Sequence, residues 1–261
     1  MNSVRIFFLG GLTSYRAMFT WISPWVLVPS FMIAPVVQIL LFVYIGRATG
    51  IASDQFFVIG NALQYSAIPC LFAMAMTVSG ERAQRTLSVI MMSPARRLPL
   101  ILGRSLPVVA NGFVVSLFAL VVGDIVVGTG ISSAAFGSIA FAVAVASFSC
   151  TGLGLVNAAV GLRVRNSAVL SNVLVGLLLV FCGANIPLVD MPAWMAAIGR
   201  LLPLTHGIEA ARSLAGDGSL PQVAPLLLNE AAVGLAYGAA GLAVLHYFER
   251  ASRRSASLET A

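Results

Sequence analysis

The sequence predicts an all-α integral membrane protein with six transmembrane helices, and three observations carry that prediction. Six stretches contain no Asp, Glu, Lys or Arg and are each long enough to cross a bilayer. They lie between Arg16 and Arg47, Asp54 and Glu81, Arg104 and Asp124, Asp124 and Arg163, Arg165 and Asp190, and Glu230 and Glu249. A spanning helix needs about 20 apolar residues, because its backbone polar groups must be satisfied inside hydrocarbon. Charged residues make up 9% of the chain, against about 25% in soluble domains, which excludes an ordinary soluble fold. The charges that remain collect in the gaps between the apolar stretches, as expected where each one at the bilayer centre costs kilocalories.

The 261 residues read as one membrane domain, with spans near 24–46, 57–79, 105–127, 135–161, 167–187 and 228–248. Positive charge is carried by 15 Arg and no Lys, and its distribution sets the orientation. With the N-terminus in the cytoplasm, that side receives Arg5, Arg16, Arg82, Arg85, Arg96, Arg97, Arg104, Arg163, Arg165, Arg250, Arg253 and Arg254. Only Arg47, Arg200 and Arg212 fall outside. This is a strong positive-inside bias; it places both termini in the cytoplasm and residues 188–227 on the outer face. The net charge of +6 then reflects topology rather than a nucleic-acid partner. An Arg-only, Ala/Val/Gly-rich composition points to a GC-rich bacterial genome, and so to a bacterial cytoplasmic membrane. Cys70, Cys150 and Cys182 lie inside apolar spans without metal-ligand spacing and read as small buried hydrophobes.

Residues 1–22 are not a span. Val4, Phe8, Tyr15 and Phe19 share one helical stripe and Arg5, Thr13, Arg16 and Thr20 another, the pattern of a helix lying in the headgroup plane. No convincing cleavage site follows, so this segment reads as retained. Trp21 and Trp25 are interfacial anchors, with Pro24 and Pro29 turning the chain into the first span. Span two carries Asn61, Gln64, Tyr65, Ile68, Phe72 and Ala75 at helical spacing. Amides in hydrocarbon need partners, so this face meets either neighbouring helices or a substrate cavity. Asn111, Asn157 and Asn172 raise the same choice in spans three, four and five. Gly152, Gly154 and Gly161, with Ser147 and Ser149, mark span four as a close-packing helix.

Two segments depart from lipid-like composition. Residues 81–97 are charged first and apolar second, with Pro94 as a stop; Leu87, Ile90 and Met91 form one face at i, i+3, i+4. Such a helix either docks in a partner's groove or serves as an ordinary positively charged loop. Residues 188–227 are apolar but, together with the residues just before them, broken by Pro187, Pro192 and Pro203 into pieces too short to span, which predicts re-entrant or interfacial half-helices. Glu209 and Arg212, three apart, are expected to pair. His206, alone in an outer half-helix, reads as a structural or capping residue rather than a metal ligand or proton relay.

These two segments resemble the motifs of the ABC type 2 transporter permease family, the membrane half of ABCG-like, type V ATP-driven exporters. The first is similar to E-R-x-x-G-T-L-x-x-L-x-x-[ST]-P: Glu81, Arg82, Thr86, Leu87, Ile90, Ser93 and Pro94 match in register, and Arg85 stands where the family has glycine. The second is similar to P-L-x-x-[ML]-P-x-W-[LM] followed by N-P-[LF]-T-[HY]-x-x-[ED]-x-x-R. Pro187, Leu188, Met191, Pro192, Trp194, Met195, Pro203, Leu204, Thr205, His206, Glu209 and Arg212 match, and Leu202 replaces the asparagine.

The resemblance implies an N-terminal connecting (elbow) helix and a cytoplasmic coupling helix that touches an ABC ATPase subunit. Glu81, Arg82, Arg85, Thr86, Leu87, Ile90, Met91, Ser93 and Pro94 would make that contact. It also implies a re-entrant cap from Pro187, Met191, Pro192, Trp194, Pro203, Thr205, His206, Glu209 and Arg212. Two permease copies, or this chain and a sister permease, would enclose a cavity lined from spans two and five by Asn61, Gln64, Tyr65, Ile68, Phe72, Asn172, Val175 and Leu179. No phosphate-binding loop G-x-x-x-x-G-K-[ST] occurs, so ATP and Mg are expected on a separate subunit, with no cofactor, metal or catalytic residue on this chain. The expected cargo is an amphiphilic drug or natural product, with a lipid-linked glycan as alternative. A secondary transporter would show paired intramembrane charges or two repeated halves, and a membrane enzyme a metal or nucleophile constellation; the sequence has neither.

Overall fold

In the computed structural model the described residues are 24–83, 97–164 and 166–255, with side chains described within 32–76, 102–164 and 166–248. They are helical throughout, without strands. The elements are α1 (Pro24–Thr49), α2 (Asp54–Gln64), α3 (Ala67–Ala83), α4 (Arg97–Val127), α5 (Ser133–Gly161), α6 (Ser167–Phe181), a 3-10 turn (Leu188–Asp190), α7 (Ala193–Leu201), α8 (Thr205–Ala215) and α9 (Leu220–Ser255). Five helical units are long and apolar enough to cross a membrane: Met32–Thr49, Asp54–Met76, Leu102–Val127, Ser133–Gly161 and Leu220–Phe248. The expected elbow helix, and Arg85, Thr86, Leu87, Ile90, Met91, Ser93 and Pro94 of the expected coupling helix, lie outside the described residues. Glu81 and Arg82 belong to the last turn of α3 by backbone alone.

Span two is not the single helix expected over 57–79. It breaks at Tyr65 and Ser66 into α2 and α3, and Pro69 is the cause. Proline has no N–H to give the carbonyl four residues back, and its ring clashes with that carbonyl. The Tyr65 carbonyl accepts from the Ile68 N–H instead, at 3.3 Å. The Ser66 hydroxyl and N–H both turn back to the Leu63 carbonyl, at 2.7 and 3.0 Å, so the break leaves little unsatisfied inside apolar surroundings.

Span five also ends earlier than expected. Instead of running over 167–187, α6 stops at Phe181 after 15 residues, about 22 Å of helix. Gly183, at φ 77, terminates it in the left-handed conformation that glycine reaches without a Cβ penalty. Span six errs the other way: α9 is 36 residues long and extends past both ends of 228–248. The expected limits followed the charges Glu230 and Glu249, and neither charge ends the helix.

The core is organised around α5, which packs against α3, α4, α6, α8 and α9, with its largest interface on α9. Small residues permit that approach. A Cβ on Gly152 would collide with the Gly234 carbonyl oxygen, and one on Gly234 would sit 2.6 Å from the Ser149 Cα. Backbone thus lies against backbone, the arrangement by which membrane helices gain dispersion contact without a hydrophobic driving force. Asn157 of α5 donates to the Leu71 carbonyl of α3 at 3.2 Å and to the Ser171 hydroxyl of α6 at 2.7 Å, tying three helices at one level.

Two glycines of α9 separate packing from propensity. Gly234→Ala forces backbone apart and is expected to destabilise by about 1–3 kcal/mol. Gly238, whose Cβ would meet nothing within 4 Å, gains up to about 1 kcal/mol of helix propensity when changed to Ala. Thermal unfolding of the two purified variants should therefore shift in opposite directions.

Candidate functional site

The cap residues that the sequence singles out lie at one end of the bundle, where the start of α2, the end of α6 and the short helices α7 and α8 meet. Pro187 and Pro192 each precede a short helical piece, the 3-10 turn and α7, and Pro203 separates α7 from α8. Both half-helices exist, and each is too short to span. Met191 and Thr205 are buried, while Trp194 stays exposed with its ring edge-on to Phe181 of α6, 6.2 Å between centroids.

Arg212 organises this end. Its guanidinium donates from Nε and Nη2 to the Phe56 carbonyl at 3.3 and 3.0 Å, from Nη1 to Gly183 O at 2.8 Å and from Nη2 to Ala184 O at 2.8 Å. Its Cζ lies 3.4 Å from the centroid of the Phe56 ring, a cation–π contact. The expected Glu209–Arg212 pair is not formed; an ion pair is made instead by Arg47 and Asp54, at 2.6 Å. The carbonyls at 183 and 184 follow the end of α6 and have lost their helical donors, so a side chain with five N–H groups satisfies several at once. Gly60 leaves the room: a Cβ there would collide with Arg212 Nη2 and the Ala184 carbonyl oxygen.

The junction between α7 and α8 is closed by side chains. Thr205 donates its hydroxyl to the Gly199 carbonyl at 2.6 Å, and His206 Nε2 lies 3.1 Å from the Arg200 carbonyl. A carbonyl only accepts, so Nε2 is the protonated nitrogen. His206 thereby answers the Arg200 carbonyl at the end of α7, while Thr205 adds a second donor to the Gly199 carbonyl, which already accepts the Leu202 N–H at 3.0 Å.

At the N-terminus of α8 the partner is Glu230, which the sequence reading used only to mark a span boundary. Its Oε1 accepts the Leu204 N–H at 2.7 Å and its Oε2 the Gly207 N–H at 3.1 Å. Leu204 itself sits at φ 78, a left-handed conformation that costs a residue with a side chain about 1–3 kcal/mol. The available signal was a lone acid within apolar sequence, which has to find donors.

The span-two amides are placed among protein atoms. Gln38 of α1 donates to Asn61 Oδ1 at 3.1 Å and to Gln64 Oε1 at 2.7 Å, and Asn61 Nδ2 donates to Asn185 Oδ1 and the Phe57 carbonyl, both at 2.9 Å. Asn61 and Gln64 are 0% and 1% exposed; within one chain they are the interhelical glue and not an open wall. Gln38 and Asn185 were missed, although each is an amide in a charge-free stretch, the same signal that marked Asn61. Tyr65 is buried, Ile68, Phe72, Val175 and Leu179 are half-buried, and Asn172 is exposed. Asn172 shares its face of α6 with exposed Val169, Val173, Leu177 and Val180. Among the described residues no cluster of three or more His, Cys, Asp or Glu is placed to hold a metal ion.

Comparison with known proteins bears on this arrangement. No curated protein matches the chain at a significant level. Residues 7–215 match the family model described as ABC-2 type transporter, a stretch that takes in both motif segments and the Arg212 hub and ends before Glu230. Members of this family work with an ATP-binding subunit. With that match over most of its length and its apolar helices, the chain is a multi-pass membrane protein that belongs to the ABC-2 type transporter family.

Proposed function

We propose that this chain is the transmembrane permease subunit of an ATP-driven exporter, moving an amphiphilic drug or natural product out of the cytoplasm or inner leaflet of a bacterial membrane. The observation that carries the reading is the family match over residues 7–215, combined with an outer segment folded into short half-helices and not a large outer domain. ATP and Mg are held by a separate subunit, and this chain is not itself catalytic.

The helix α6 is read as a sixth span, its 15 residues continued by the bent stretch through Ile186 that Arg212 anchors. Two copies, or this chain and a sister permease, enclose the path. Ile68 and Phe72 of α3 and Asn172, Val175 and Leu179 of α6 line it, while Asn61, Gln64 and Tyr65 brace that wall from within. Residues 81–97 dock on the ATPase. Closure of two such subunits about ATP pushes these segments and shifts the cavity from inward-facing to outward-facing, so each segment must be stiff and anchored by an apolar knob, here Leu87, Ile90 and Met91.

Two measurements test this reading. Single cysteines at Ser3, Ser88 and Ser255 are expected to be shielded in intact cells from a membrane-impermeant thiol reagent, and one at Ser219 to label. Labelling at position 88 would reverse the orientation. Leu87→Asp is expected to bury an unpaired charge against the ATPase, costing several kcal/mol. Co-purification of the ATPase and substrate-stimulated ATP turnover should then both fall while the spans remain folded. A Leu87→Asp variant that keeps its partner and its full efflux contradicts the coupling role.

A further inference from the structure

Glu230 lies beyond the residues of the family match, and the transport scheme above makes no use of it. It is the one buried carboxylate among the described residues, fully enclosed on α9, and it spends both oxygens on backbone outside its own helix, the Leu204 and Gly207 N–H groups. A helix N-terminus is where a buried negative charge is best tolerated, because unpaired N–H groups and the helix dipole both face it. Three further features show that this contact sets geometry. Leu204 is held at φ 78, a conformation that persists only where the surroundings over-determine it. Gly207 is pressed between neighbours: a Cβ there would lie 3.0 Å from the Ala146 Cβ and 3.6 Å from the Glu230 Cγ. At the other end of the same half-helix Arg212 reaches the carbonyls of Phe56, Gly183 and Ala184. Turning α8 by one residue swings Arg212 through about 100° and off all three.

We propose that Glu230 is a positioning residue for transport: it fixes the rotation and height of the half-helix α8, and through Arg212 it holds the outer ends of α2 and α6 in a set relation to α9. The carboxylate acts on the transport path only through α8 and touches no cargo. The transport half of this proposal rests on the exporter reading; the clamp itself does not.

The test uses the full chain with its ATPase in proteoliposomes and compares Glu230→Gln with the unsubstituted protein. Glutamine keeps the shape but sets an NH2 donor against the Leu204 or Gly207 N–H. Hydrogen–deuterium exchange across residues 204–215 is expected to speed up tenfold or more, with exchange in α5 between residues 142 and 158 unchanged. The ratio of substrate-stimulated to basal ATP turnover is expected to fall several-fold. Glu230→Asp, which retains the charge one methylene further back, is expected to fall between the two on both measures, and it carries the comparison if Glu230→Gln does not accumulate in the membrane.

Unchanged exchange in α8 overturns the clamp. An equal rise in α5 overturns it too, because Glu230 would then be an ordinary core residue. Faster exchange in α8 with an unaltered turnover ratio overturns the positioning role in transport. An unsubstituted chain that stimulates no ATPase counts against the exporter reading instead, and the exchange measurement still decides the clamp.

Discussion

Every interruption of a helix inside an apolar bundle leaves backbone groups that hydrocarbon cannot satisfy, and this fold depends on two charged side chains that answer them. Arg212 supplies donors to the carbonyls that follow the end of α6 and ties them to the Phe56 carbonyl in the first turn of α2, and Glu230 supplies acceptors where α8 begins. Each charge is matched to the sign of the exposed backbone dipoles, carbonyls for the cation and N–H groups for the anion. A protein built only from unbroken spans would need neither residue. The prolines cut the half-helices, these two side chains satisfy the groups the cuts leave, and Thr205 and His206 complete the junction with shorter reach.

The remainder of the bundle is held by closeness rather than charge. The α5 and α9 backbones meet through Gly152 and Gly234, and α5 in turn carries α3, α4, α6 and α8. Polar contacts add direction to that packing. The Gln38, Asn61, Gln64 and Asn185 amides lock α1 and α2 to the stretch after α6, and Asn157 does the same lower in the bundle. Because the amides have one another, the apolar surroundings raise the cost of separating them.

Much of this architecture was legible before any coordinates. Charge-free length marked the five helices long and apolar enough to cross a membrane but not their limits, since that signal is one-dimensional and the bilayer sets the ruler. Pro187, Pro192 and Pro203 marked the short pieces between α6 and α8, because a proline limits a helix locally. Pro69 is an equally local signal, but it is embedded in an apolar run whose length alone suggests one continuous helix, and the chain breaks at Tyr65 and Ser66. What could not be read was the choice of partners. Helical spacing favoured Glu209 for Arg212, because three residues apart is one face; the guanidinium instead reaches residues 56, 183 and 184, which no periodicity connects. Glu230 illustrates the limit from the other side. A carboxylate between two apolar stretches looks like a boundary until the half-helix it caps is placed beside it.

The break in span two divides a single crossing between two sets of neighbours. Its first portion, α2, is fastened to α1, α4 and α8, and its second portion, α3, to α4, α5 and α6. A continuous helix would carry an axial displacement from one membrane face to the other as a rod does. Here the backbone between Leu63 and Pro69 has exchanged regular hydrogen bonds for local ones, so α3 is not bound to α2 as one rod and an axial displacement of it bears first on the helices packed around it. The two portions therefore communicate sideways as well as along the chain, through α4, the one helix on which both of them pack.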